Sequence, residues 1–436
     1  MSNTWAKRSL CLLFVLLVFK NAMAQSDLTL DQALKEGVEN SHELKSAQSA
    51  FELAHWKKRE ALGSFLPRID IVANHVFDLK YQQIQISPTS VFESTYPKTS
   101  FGALASFNLF DGFRSSFNYM AGIKNEEAAQ LEYEHSKIAI ENAIRLKYFQ
   151  ALGAQVLATV AEANLKTLTD HLKKAQDLLK QGELTKVDVL KIQVQVEQAI
   201  PEKFSAQDNV YLARKSLAEA MGSQDETRVL IEALPTPDEK LFDHFDLNSE
   251  VQSMGRLDLK AMKKRVEASE VINKSDRSQW LPKVNLVADY QYYNNRNFSL
   301  NETDKFRNAY SFGINFSWNV FDGGVSYAKF NESYYQKKQL EEKSKKSEMS
   351  SANDAEFWKR RFLNSAVLYS AKLRSVVASK ESVRIYQTGL KAGTRTSSDL
   401  LDAELDLARS EAGVVKAQLD AIEAKLNLEL AIGRRI

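Results

Sequence analysis

Four short stretches of the chain alternate apolar and polar residues with a period of two. Before Phe321, the row Tyr310, Phe312, Ile314, Phe316, Trp318 and Val320 is interleaved with Ser311, Gly313, Asn315, Ser317 and Asn319. Ile69, Ile71, Ala73, Phe77, Leu79 and Tyr81 form a second row against Asp70, Asn74, Asp78, Lys80 and Gln82. Phe101, Ala103, Ala105, Phe107 and Leu109, and then Val284, Leu286, Ala288, Tyr290 and Tyr292, complete the set. This period marks strands with one apolar and one polar face, expected over 68–82, 99–110, 283–296 and 307–321. An ordinary half-buried sheet would show the same alternation. The run lengths approach the roughly 9–11 residues that cross a bilayer at a barrel tilt, and the aromatics toward the ends fit interface girdles. Unpaired strand edges in hydrocarbon would cost several kcal/mol per polar group, and a closed membrane barrel needs about eight strands or more. Four strands per chain therefore imply a barrel closed by several chains.

Between the strands the period lengthens to that of helices. From Phe113 to Lys180 and from Gly324 to Lys391 there is no proline and very little glycine. Each stretch would run about 100 Å as one helix. Phe149, Leu152, Val156, Val160 and Ala163 keep an apolar seam near the coiled-coil period. Shorter helices are expected over 31–64, 187–221, 251–280 and 397–432. Two of about 50 Å stacked end to end match one long helix, as a hollow wall would need; a plain coiled-coil rod is the alternative.

The chain is written twice. Phe110-Asp111-Gly112 matches Phe321-Asp322-Gly323 at an offset of 211 residues, and Gly182 with Asp188 matches Gly393 with Asp399. Ala220-Met221-Gly222 matches Ala431-Ile432-Gly433 at the same offset, while Leu66-Pro67 matches Leu281-Pro282 at 215. The domain reading is a first repeat over 25–222 and a second over 251–436, with long helices at 113–180 and 324–391. An irregular acidic connector at 223–250 (Pro235, Pro237, Asp238, Glu239, Asp243, Asp246) joins them.

Composition narrows the setting. Lys7 and Arg8, the apolar run Leu10 to Phe19 and Ala22-Met23-Ala24 read as a secretory signal over 1–24. The single cysteine, Cys11, lies inside it, so an exported product would have no disulfide. Removing the signal takes away three positive and no acidic residues, so the formal charge goes from +2 to −1. That balance argues against a nucleic-acid partner. The six histidines show no ligand spacing, no glycine-rich phosphate loop appears, and no Ser/His/Asp set can be argued. No catalysis, metal or cofactor is expected.

These features, together with Ala392-Gly393-Thr394-Arg395-Thr396 and Asp399-Leu400-Leu401-Asp402-Ala403, give a chain that resembles the TolC family of outer-membrane efflux proteins over nearly its whole mature length. The resemblance implies a mainly α fold with transmembrane β: a homotrimer whose twelve-stranded outer-membrane barrel is continued by an α-helical periplasmic tunnel. It implies a passive exit duct of a tripartite efflux or type I secretion system, docking to a periplasmic adaptor (membrane fusion) protein and an inner-membrane transporter. A structural periplasmic coiled-coil protein with a small soluble β domain is the other class. On the family pattern, Gly182, Gly393, Thr394 and Thr396 lie at the periplasmic tip where partners dock. Asp399 and Asp402 would form stacked acidic rings at the aperture, which attract cations. Arg395 would hold the closed state by pairing with Asp188. Phe312, Ile314, Phe316 and Trp318 would face outer-membrane lipid. Simpler readings are a solvated helix start for the two aspartates and an exposed turn residue for Arg395. One departure stands out: the family tyrosine three residues before the turn glycine is Leu390 here.

Overall fold

The computed structural model describes residues 27–77, 82–94, 99–223, 225, 228–237, 255–294 and 306–434. The signal reading, Cys11 and the acidic residues Asp238, Glu239, Asp243 and Asp246 of the connector lie outside these. The elements run β1 (Asp27–Leu28), α1 (Leu30–Asn40), α2 (His42–Gly63), β2 (Arg68–His75), β3 (Gln82–Ser87), β4 (Ser90–Ser94), β5 (Thr99–Phe110), α3 (Arg114–Gln181) and α4 (Lys186–Met221). They continue with β6 (Val229–Leu230), α5 (Leu257–Arg277), β7 (Lys283–Asn294), β8 (Arg307–Ser317), α6 (Val325–Lys391) and α7 (Ser397–Ile432). The chain divides into two units. One is formed by the described parts of Met1–Ala47, Tyr133–Leu257 and Met349–Ile436, the other by Gln48–Glu132 and Asp258–Glu348.

The second unit holds a four-stranded antiparallel sheet in the order β2-β5-β7-β8. Its register aligns the apolar rows. Ile71 stands opposite Ala103, Ala103 opposite Tyr290, and Tyr290 opposite Tyr310. Ile314 and Phe316 face Leu286 and Val284 in the same way. Directly opposed residues share a face, so the paired parts of the four rows make one apolar surface. That surface is bare in the single chain: Ile71 is 88% exposed and Phe312 73%. Among the described residues the first and last strands, β2 and β8, each pair on one side only.

The strands are bounded by identical devices in both repeats. Helix α2 ends in tightening bonds from Ser64, Phe65 and Leu66 N–H groups to the carbonyls three residues back; α5 ends in a 3₁₀ turn, Ser278–Trp280. A proline at 67 or 282 then forbids the helix to continue. After β5, Asp111 Oδ2 accepts from the Ser115 N–H (2.9 Å) and hydroxyl (2.5 Å). After β8, Asp322 Oδ2 accepts from Ser326 at 2.8 and 2.5 Å. These carboxylates satisfy free N–H groups of the starting long helix.

Several expected boundaries differ in the structure. The stretch 31–64 is two helices, because Ser41 ends one and its hydroxyl accepts from the Leu44 N–H at 3.3 Å to start the next. The strand read over 68–82 ends at His75, and 78–81 lie outside the described residues. The strand read over 307–321 ends at Ser317. Trp318 instead donates its indole N–H to the Trp280 carbonyl at 3.0 Å. A short hairpin, β3–β4, was not anticipated.

In the other unit the long helices pack with the shorter ones around apolar seams. Ile140, Ile144, Tyr148 and Leu152 of α3 meet Leu28, Ala33, Leu217 and Met221. Gly37 lets the helices approach closely there, since a Cβ would lie 2.2 Å from Ile144 Cδ1 and would make that side chain shift. The buried Tyr148 hydroxyl donates to the Leu28 carbonyl at 3.0 Å. Burial, with the nearby Glu232 charge, pushes its pKa up to about 12. Helix α7 buries fourteen positions to seven in α4. On α4, Val187, Leu190, Val194, Phe204 and Tyr211 stay exposed at heptad-like spacings. No helix among the described residues is long and apolar enough to cross a membrane.

Candidate functional site

The two turns that join long to short helices are built from one plan. In the first, Gly182 takes φ 76°, and its N–H and that of Glu183 bond the Leu179 and Leu178 carbonyls at 3.1 and 3.0 Å. In the second, Gly393 takes φ 70°, with Gly393 and Thr394 bonding Leu390 and Gly389 at 3.1 and 2.9 Å. Both follow the glycine-ended closing pattern that satisfies the last helical carbonyls. No atom lies within 4 Å of a Cβ built at either glycine, so backbone angle and not space selects glycine.

Each following helix opens with a capping box. Thr185 Oγ1 accepts from the Asp188 N–H at 3.3 Å, and Asp188 Oδ2 accepts from the Thr185 N–H at 3.2 Å and its hydroxyl at 2.6 Å. In the second turn, Thr396 Oγ1 accepts from the Asp399 N–H at 3.2 Å and Asp399 Oδ2 accepts from the Thr396 N–H at 3.0 Å. Bonds to Thr185 hold the Asp188 carboxyl below the ordinary carboxylate range, and bonds to Thr396, aided by the Arg395 charge, do the same for Asp399. Both are anions at neutral pH. Asp402, one turn on, is exposed.

The side chains beside the turns diverge. Leu184 packs against the seam formed by Leu168, Ala175, Val189 and Ile192. Its counterpart 211 residues later is Arg395, whose guanidinium carbon lies 5.2 Å from the centroid of the Tyr386 ring. Among the described residues no ion pair joins Arg395 to Asp188, although both line one open cleft with Leu390 and Leu401. In the same cleft His171 Nε2 of α3 lies 2.8 Å from Glu404 Oε2 of α7. Glu404 sits between Leu401 and Leu405, which pack on the α3–α4 seam. No group of three or more metal-binding side chains occurs among the described residues.

The structure thus gathers Asp188, Arg395 and Thr396 around one cleft, with Gly182, Gly393 and Thr394 in the turns. Phe312, Ile314 and Phe316 belong to β8, in the second unit. Sequence reasoning missed Tyr386, Gly389 and the His171–Glu404 contact. Tyr386-x-x-Gly389 was a legible signal, but its link to Arg395 runs across a turn, beyond the i, i+3 and i, i+4 neighbours of a helix.

Comparison with known proteins places this geometry. The family model described as outer membrane efflux protein matches residues 32–223 and 254–434, one span for each repeat. The outer membrane protein TolC of Vibrio cholerae is 20% identical over 311 residues, 71% of each chain. Two solved outer-membrane structures share the fold at low identity. One is CusC, with TM-score 0.77 and 16% identity, covering 94% of this chain and 92% of that one. The other is VceC of Vibrio cholerae, with TM-score 0.76 and 17% identity, covering 93% and 96%.

Proposed function

The chain belongs to the outer membrane efflux protein family, and on that premise we propose that it is one protomer of a homotrimeric exit duct. The duct is passive, gated and without catalytic chemistry. Its barrel sits in the outer membrane of a Gram-negative cell and its helices reach into the periplasm. The observation that carries this reading is the sheet, with one apolar face bare and two edges unpaired among the described residues. Three copies would pair β8 of one chain with β2 of the next, closing twelve strands and leaving no open edge in lipid. Phe312, Ile314 and Phe316 then face hydrocarbon, and Trp318 lies at its border. The test is direct: the mature protein should partition with outer membranes and run as a heat-dissociable trimer in detergent. A freely soluble monomer would overturn the duct.

The helix turns supply the gate and the docking point. Gly182, Gly393, Thr394 and Thr396 present the tip to a periplasmic adaptor protein, which couples the duct to an inner-membrane transporter; the transporter sets the cargo. Asp399 and Asp402 repeat three times around the threefold axis as acidic rings. Their summed potential favours cations. Replacing both by alanine should lower cation selectivity in single-channel recordings, and unchanged selectivity would remove the rings. Arg395 pairs with Asp188 in the locked state, a charge-assisted link that opening breaks. Arg395→Ala should raise inward leakage of bulky antibiotics.

A further inference from the structure

Every cap of the first turn is repeated in the second, so the position two residues after the glycine can be compared directly. In repeat 1 it is Leu184, folded back onto an apolar seam that includes Ala175. In repeat 2 it is Arg395, folded back over Tyr386, the residue at the position of Ala175. Folding back needs room at Gly389, where a Cβ would lie 2.6 Å from Arg395 Cγ and 3.3 Å from Arg395 Cβ. The position equivalent to Gly389 in repeat 1 is Leu178. Tyr386 is itself held from below, packed against Val383, Leu400 and Ala403. The second turn therefore carries a fixed aromatic seat and a gap cut for an arginine; the first carries neither. Meanwhile Asp188, across the cleft, is engaged by Thr185.

We infer that Tyr386 and Gly389 are positioning residues that form a resting seat for Arg395, so that the gate is a competition between an aromatic ring and the Asp188 carboxylate for one guanidinium. The inference rests on the proposed Arg395–Asp188 link and adds to it what holds the arginine when the link is broken. A solvent-exposed guanidinium over a half-buried ring is attracted weakly, enough to bias a two-state equilibrium without locking it.

The experiment is single-channel recording of the full-length protein in planar bilayers, with the antibiotic susceptibility of cells carrying each variant. Tyr386→Leu removes the seat and should lower the open probability about two- to fivefold, the range a cation–π contact of this kind supports. Tyr386→Phe keeps the ring and should match wild type. Gly389→Ala fills the gap and should act in the same direction as Tyr386→Leu. In an Arg395→Ala background Tyr386→Leu should have no further effect. A Tyr386→Leu channel that opens more often, or one whose effect persists without Arg395, would overturn the seat. If Arg395→Ala changes opening while Tyr386→Leu does not, the seat fails and the link stands. If neither changes opening, both fail.

Discussion

The two repeats follow the same backbone rules to the level of single hydrogen bonds, yet their side chains part company. Asp111 and Asp322 accept from Ser115 and Ser326 in the same way. Gly222 and Gly433 both end a helix in the left-handed region, at φ 65° and 72°. Where surroundings enter, the copies differ. Gly112 is jammed: a Cβ there would lie 2.7 Å from the Ser278 carbonyl oxygen and 2.8 Å from Leu281 Cβ. Gly323 has nothing within 4 Å. The residue after Gly112 is Phe113, at φ 68°; after Gly323 it is Gly324, at φ 87°. Duplication preserves what the backbone demands, and leaves packing and charge free to specialise.

The most severe way to break the symmetry is a charge on the apolar face of one edge strand. Ile314→Lys should cost about 2–4 kcal/mol per chain if that face meets lipid, and trimers should vanish from the outer-membrane fraction. Ser311→Lys, on the opposite face of the same strand, should leave them. Equal outcomes would mean that the face does not meet lipid.

A smaller effect is expected at the turn glycines. Gly112→Ala adds a backbone clash to the left-handed strain and should destabilise by about 3 kcal/mol. Gly323→Ala carries only the strain, about 1 kcal/mol. Thermal midpoints of the purified variants would show the gap, and identical values would contradict the difference in packing.

Removing a capping hydroxyl should erase the difference between the copies. Thr185→Ala and Thr396→Ala should each cost about 1 kcal/mol, equally in denaturant titrations. An unequal pair would show that side chains beyond the cap contribute.

The smallest effect concerns pH. Asp188 and Asp399 have lowered pKa values in the folded chain. Their contribution is thus present above the ordinary carboxylate pKa and lost as pH falls through the lowered one. Measured by thermal unfolding, the deficit of Asp188→Asn or Asp399→Asn should be constant from pH 8 to 5 and shrink below about pH 4.

Much of the architecture was legible because it depends on local periods. Phe312, Ile314 and Phe316 share a face whatever their partners, and Gly393 ends a helix by its own backbone freedom. The chain's membership of the efflux family follows from landmarks of that kind. What escaped depended on contacts made across space or on choices with two local solutions. Ser41 could continue a helix or cap one. The Ser87-Pro88-Thr89 turn was visible, yet its flanking strands were too short to stand out. The Arg395–Tyr386 contact crosses a turn, and the His171–Glu404 pair lies on helices more than two hundred residues apart in sequence.

The matched turns bear on stoichiometry. Around a threefold axis, a partner that grips only main-chain shape at Gly182 and Gly393 would find six equivalent footholds. A partner that discriminates Leu184 from Arg395 would find three of each kind. How many partner subunits the proposed trimer would accept therefore depends on which of these atoms they touch.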